Sequence, residues 1–203
     1  IKNNNYNSSD YFGRNVVLID DALITDAYYA DELVLYNNLS TTRQSFQNLS
    51  TKGPVLSISG KVECTGGTAG SYDCNNIDLM AFMDKTEIGG GNNTNLNDIW
   101  GWTDPVTAKE YALVGMSNGT SFVDITTPDS PVYVGRLATH SSNSTWRDIK
   151  VYNNYAFIVS EASGHGMQVF DLTVLRTFGG TPITFSETAH YGEFGNAHNI
   201  FIN

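Results

Sequence analysis

From about residue 76 onward, apolar side chains come in short runs separated by clusters of Gly, Pro, Asn, Asp and Ser, a pattern of strands joined by tight turns. Asp98–Trp102 predicts a short first strand, closed by the turn Thr103-Asp104-Pro105. Glu110–Met116 predicts an apolar second strand, and Ser117-Asn118-Gly119 supplies Asn-Gly hairpin chemistry after it. Thr120–Ile125 reads as the third strand and Val132–Leu137 as the fourth, parted by Thr127-Pro128-Asp129-Ser130-Pro131. The next stretch follows the same order with Asp148–Tyr152, Tyr155–Ser160, Met167–Leu172 and a weaker fourth strand at Ile183–Phe185. Upstream, Ile77–Met80 and Glu87–Gly89 read as the last two strands of a preceding unit.

The order is a repeat. Asn76-Ile77-Asp78-Leu79, Phe122-Val123-Asp124-Ile125 and Val169-Phe170-Asp171-Leu172 place aspartates 46 and 47 residues apart. Asn97-Asp98-Ile99-Trp100, Arg147-Asp148-Ile149-Lys150 and His198-Asn199-Ile200-Phe201 follow at 50 and 51, and Tyr111-Ala112-Leu113-Val114 is echoed by Tyr155-Ala156-Phe157-Ile158. A period in this range, holding several short strands, predicts an all-β fold: a β-propeller of four-stranded antiparallel blades, incomplete in this chain. Residues 61–203 carry the blades, the last one cut off after one strand. Residues 1–60 fit the period poorly and read as an irregular N-terminal extension or a degenerate blade. Within them Ala27–Tyr36 suits a helix capped by Thr25 or Asp26, or an edge strand through Leu33–Tyr36.

Composition narrows the function. The chain has 203 residues and a net charge of −10, which opposes binding to nucleic-acid phosphates. Charged residues are only 16% of the chain; its polarity rests on 21 Asn, 17 Ser, 20 Thr and 19 Gly, the residues of strands and turns. No apolar run is long enough to span a bilayer as a helix. The chain opens on Ile1 without a signal-peptide core, which suggests a removed leader, a fragment, or both.

Cys64 and Cys74 are the only cysteines. The Gly-rich loop between them suits a disulfide, with two free thiols as the alternative; zinc would need closer ligands and more of them. Asn7, Asn38, Asn48, Asn92, Asn118 and Asn143 each head an N-glycosylation sequon. Six is only modestly above what this composition yields by chance, but Asn92, Asn118 and Asn143 fall in turn-like stretches expected to be exposed. These features together predict a secreted or cell-surface protein bearing N-linked glycans.

The segments CTGGTAGSYDCNNIDLMAFM, NDIWGWTDPVTAKEYALVGMSNGTSFVDITTPDSPVYVGRL, WRDIKVYNNYAFIVSEASGHGMQVFDLTVLR and FGNAHNIFIN resemble the choice-of-anchor B family of extracellular proteins. The resemblance covers about residues 61–203. It implies LVIVD-type repeats in a β-propeller, export, anchoring by varied C-terminal devices and no established enzymatic activity.

Several residues invite chemical roles. Asp98, Asp148 and Asn199 occupy equivalent positions at the start of the innermost strands, and His140 and His190 precede those strands 50 residues apart. With His198 they make a candidate axial site for a cation such as Ca²⁺ or for a polar ligand. The competing role is structural, with each Asp tying backbone N–H groups of neighbouring units, and repetition favours it. Glu161 and His165 in the enlarged loop SEASGHGMQ form a second candidate site. Asp78, Asp124 and Asp171 suit turn hydrogen bonds, and Trp100, Trp102 and Trp146 suit packing between blades. Gly115-Met116-Ser117-Asn118-Gly119 matches the GxSxG pattern of hydrolases, but the strand expected after it opposes a nucleophile elbow.

The expected function is therefore a non-enzymatic binding or structural module. Its partners would be an extracellular protein, a glycan, or further copies of itself in an oligomer or fibre. A metal-assisted hydrolase using the Asp/His ring is the alternative.

Overall fold

The computed structural model describes the backbone of residues 11–19, 22–28 and 32–37 and the full detail of residues 60–203. The sequons at Asn7, Asn38 and Asn48 lie outside the described residues. The fold is all-β, and among the described residues the one helical element is the 3-10 turn Leu172–Thr177. Among the described residues no helix is long and apolar enough to cross a membrane.

Three larger sheets account for most strands. In the first, β1 (Tyr11–Ile19), β2 (Ala22–Tyr28) and β3 (Glu32–Asn37) run antiparallel, and β3 pairs onward with β6 (Asp78–Asp84). Glu32–Asn37 thus forms an interior strand, neither a helix nor a sheet edge. Between them β4 (Thr68–Ala69) and β5 (Tyr72–Asp73) make a small ribbon inside the Cys64–Cys74 disulfide loop. Glu87–Gly89 is a turn rather than the expected strand, because the Asp84 carboxylate gathers the Thr86 and Glu87 backbone N–H groups at 2.6 and 3.0 Å.

The second sheet contains β7 (Leu96–Thr103), β8 (Glu110–Met116), β9 (Gly119–Asp124) and β10 (Val132–Ala138), each antiparallel to the next. It is buried on both faces, so β8 reads as a continuous apolar run. On one face Ala112, Val114 and Val123 pack with Ile88, Leu96 and Ile99. On the other, Tyr111, Leu113 and Phe122 meet Ile149, Ile158 and Phe170 of the third sheet, the rings of Phe122 and Phe170 stacking at 4.6 Å.

That third sheet contains β11 (Arg147–Tyr152), β12 (Tyr155–Ser160), β13 (Met167–Asp171) and β15 (Ala189–Tyr191). Ile183–Phe185 forms a strand, β14, but not in the expected place: it adds parallel to β10 at the outer edge of the second sheet. Two residues explain the displacement. Phe185 sets its ring edge-on to Phe122 and Phe170, filling the space beside their stack. Gly135 (φ +152°) lets the strand approach, since a Cβ there would lie 2.2 Å from the Ile183 carbonyl oxygen. The first strands lie side by side, β7 being flanked by β1 and β11.

Turn chemistry also departs from expectation at one point. Ser117 and Asn118 form the β8–β9 turn, and Gly119 is already the first residue of β9. The turn with two consecutive left-handed residues lies instead at Asn153 (φ +48°) and Asn154 (φ +65°), between β11 and β12. Asp124 and Asp171 hold the turns that follow them, each accepting from the backbone N–H two residues on, at 3.0 and 2.9 Å. Asp78 instead accepts from the Cys64 N–H at 2.9 Å and pairs with Lys61.

Candidate functional site

β7 and β11 begin alongside each other, and their first residues line a recess of about 60 Å³ with Asn97, Asp98, Trp146, Arg147, Asp148, His198 and Asn199 on its walls. Asp98 occupies an irregularity in the β7 ladder and takes φ +69°, a conformation Asp tolerates better than most residues. Its Oδ2 accepts the Ile149 backbone N–H at 2.6 Å. Asp148 repeats this one unit later, its Oδ2 accepting from Ile200 at 2.7 Å, while the Asn97 Oδ1 accepts from the Arg147 N–H at 2.9 Å.

The two carboxyl groups are in hydrogen-bond contact and titrate apart. Burial and the neighbouring Asp148 push Asp98 up to about 8, against the pull of Lys150. Burial opposes ionisation of Asp148 too, but the Lys150 ammonium and the Ile200 N–H prevail and hold it below the usual carboxylate value. Lys150 also lies over the Trp100 ring, 4.6 Å from its centroid.

The candidate residues fall into two groups. Asp98, Asp148, His198 and Asn199 share the recess, and Glu161 joins them through the His198 Nδ1, 2.6 Å from its carboxylate. His140 and His190 lie apart from the recess, their rings stacked at 3.6 Å and 4°. The His140 Nδ1 meets Glu187 at 3.0 Å, and the His190 Nε2 donates to the His165 carbonyl at 2.8 Å. His165 is fully buried, its ring 6.3 Å from that of His140. Among the described residues no three His, Cys, Asp or Glu side chains converge as a metal-ligand set.

Two buried charged groups are not announced by the sequence. Arg147 is 2% exposed, and its guanidinium serves neutral acceptors: the Met116 carbonyl at 3.0 Å, the Thr139 hydroxyl at 2.9 Å and the His165 Nε2 at 3.0 Å. Burial lowers its pKa to about 10, so it stays charged at neutral pH. Accepting at Nε2 puts the His165 proton on Nδ1, which donates to the Gly166 carbonyl at 3.0 Å. Burial lowers the His165 pKa and keeps the ring neutral. At the far end of the sheets, fully buried Asp104 accepts two bonds from Arg176, at 2.8 and 2.6 Å, and others from Thr107 and the Val106 N–H. No local motif announces either group, because the decisive partners are distant: His165 and Met116 lie 18 and 31 residues from Arg147, and Arg176 lies 72 from Asp104.

Ser117 of the GxSxG match joins two strands, and its hydroxyl accepts from the Asn95 N–H at 3.2 Å. Trp102 packs in the core and donates from Nε1 to Asn154 at 3.2 Å. Comparison of the chain with family models, with curated proteins and with solved structures finds no match.

Proposed function

We propose that this chain is a non-enzymatic, secreted or cell-surface β-propeller glycoprotein of the choice-of-anchor B type, serving as a binding or structural module. The observation that carries this reading is the repeated carboxylate-to-backbone contact, Asp98 to Ile149 and Asp148 to Ile200. A residue that ties each unit to the next recurs once per unit, as structural devices do and catalytic ones do not. Sheets of four and five strands with adjoining first strands and the Cys64–Cys74 disulfide support the same reading. Its partners are an extracellular protein, a glycan or further copies of the chain.

The recess supports one rival, a metal-assisted hydrolase built on Asp98, Asp148 and His198. Metal analysis of the purified chain separates the two. The structural reading expects no stoichiometric divalent ion. A bound ion at one per chain, lost in both Asp148→Ala and His198→Ala variants that retain their fold, overturns it.

A further inference from the structure

The sequons at Asn92, Asn118 and Asn143 lie on three loops that the fold joins into one rim. Residues 91–95 lead into β7, Ser117-Asn118 turn β8 into β9, and residues 140–146 lead into β11. Ser117 is the hub of the three. Its N–H donates to the Asn95 carbonyl at 2.8 Å, and its own carbonyl accepts from the Ser144 N–H at 3.0 Å. The Asn95 Nδ2 also reaches the Thr145 hydroxyl at 3.4 Å, linking the residue after one sequon to the last residue of another.

Within this rim the three asparagines are displayed differently. The turn Gly91–Thr94 is closed by its own bonds, Thr94 N–H to the Gly91 carbonyl and Gly91 N–H to the Thr94 hydroxyl, both 2.8 Å, leaving Asn92 exposed at its tip. Asn143 is likewise exposed, 51 residues later, in the equivalent loop of the next unit. Asn118 is half-buried. Its Oδ1 is enclosed, and its carbonyl accepts from Arg136 at 2.7 Å and from the Thr139 N–H at 3.2 Å; the sequon threonines do not separate the sites, since Thr94 and Thr120 are 3% and 1% exposed.

We propose that Asn92 and Asn143 each carry an N-linked oligosaccharide, forming one glycan-covered rim beside the recess, and that Asn118 between them stays unmodified. This rests on the secretory reading and adds site selectivity to it. A two-residue hairpin closes in microseconds and withdraws Asn118, whereas Asn92 and Asn143 stay exposed on their loops after the strands have formed.

The test is expression of the full chain behind a secretion leader in insect cells, enzymatic release of glycans in ¹⁸O-labelled water, and peptide mass mapping. Labelled Asn92 and Asn143 with unlabelled Asn118 is the expected result, and Asn92→Gln and Asn143→Gln each remove one oligosaccharide from the intact mass. A label on Asn118, or none on either Asn92 or Asn143, overturns the proposal. Labels confined to Asn7, Asn38 or Asn48 overturn it while leaving the secretory reading intact. A chain that carries no glycan at any site overturns both the rim and the glycoprotein.

Discussion

Asp98 accepts the Ile149 backbone N–H at 2.6 Å, tying the first strand of one sheet to the first strand of the next. It does so as a buried carboxyl group whose pKa is pushed up to about 8. The folded chain therefore holds a proton that the unfolded chain releases near its ordinary value of about 4. Stability contributed by this site is greatest below that value and falls as pH rises from about 4 to about 8. Asp98→Asn keeps an acceptor for Ile149, offers a donor to Asp148 and suits the positive φ. Its melting temperature is expected to match the parent near pH 4.5 and exceed it at pH 8, whereas Asp98→Ala falls below the parent at both. Thermal scans across that range would refute the argument if Asp98→Asn were destabilised at pH 8.

Asp104 behaves oppositely. The Arg176 guanidinium, with Thr107 and the Val106 N–H, holds its carboxyl well below the usual range. Stability from this pair is present above about pH 4 and is lost as pH falls, when the unfolded carboxylate takes up a proton that the folded one refuses. Asp104→Ala leaves Arg176 without its partner and should lower the melting temperature at pH 7 by roughly 5 °C. The deficit should shrink below pH 4. An equal deficit at pH 3 and pH 7 would refute the ion-pair argument.

Much of this fold is legible in the sequence, because strands and turns are local. Glu110–Met116 and Tyr155–Ser160 have the bounds that their apolar runs predict. The equivalence of Asp98 and Asp148 is also visible, since repetition exposes a recurring need. Other features depend on distant contacts and leave no local trace. Ile183–Phe185 reads as a strand whichever sheet takes it, and only Gly135 and the Phe122–Phe170 stack decide which. His140 and His190 share the repeat spacing with Asp98 and Asp148, yet stacking on each other draws them away from the recess. Arg147 looks like a surface cation until its three acceptors are assembled around it.

The docking of β14 can be tested through those same two contacts. Gly135→Ala places a Cβ against the Ile183 carbonyl, and Phe185→Ala empties the edge-on position beside Phe122 and Phe170. Each should release residues 183–185 while the second sheet persists, because β10 still pairs with β9. Hydrogen exchange should accelerate at least tenfold at β14 and little in β8 and β9. Uniform acceleration would mean that β14 is integral to the sheet instead of added to it.

The disulfide closes a loop that is also held by the Lys61–Asp78 pair, the Cys64 bond to Asp78, the two backbone bonds between Val62 and Leu79, the packing of Ala69 on Leu79 and the stacking of Tyr72 on Phe82. Cys64→Ser with Cys74→Ser should cost about 2–3 kcal/mol. Lost order should concentrate in residues 61–75, with the Phe122–Phe170 core retained. Equilibrium denaturation of the double variant measures the cost, and no change would show that the loop is held without the bond.

Arg147 and His165 give a pH response that can be separated from the carboxyl groups. His165 is neutral because burial, aided by the Arg147 cation against its Nε2, holds its pKa below the ordinary His value. Stability from this arrangement is complete above about pH 6.5, where unfolded His is also neutral, and declines as pH falls and the unfolded chain gains a proton. Over the same interval Asp98 contributes a change of opposite sign, so the parent chain can show little net slope. The Asp98→Asn background removes that compensation and should reveal a fall in stability from pH 7 to pH 5. Adding His165→Gln, whose side-chain oxygen can still accept from Arg147, should flatten the fall without abolishing folding. A slope that persists in the double variant would assign the response to groups other than His165.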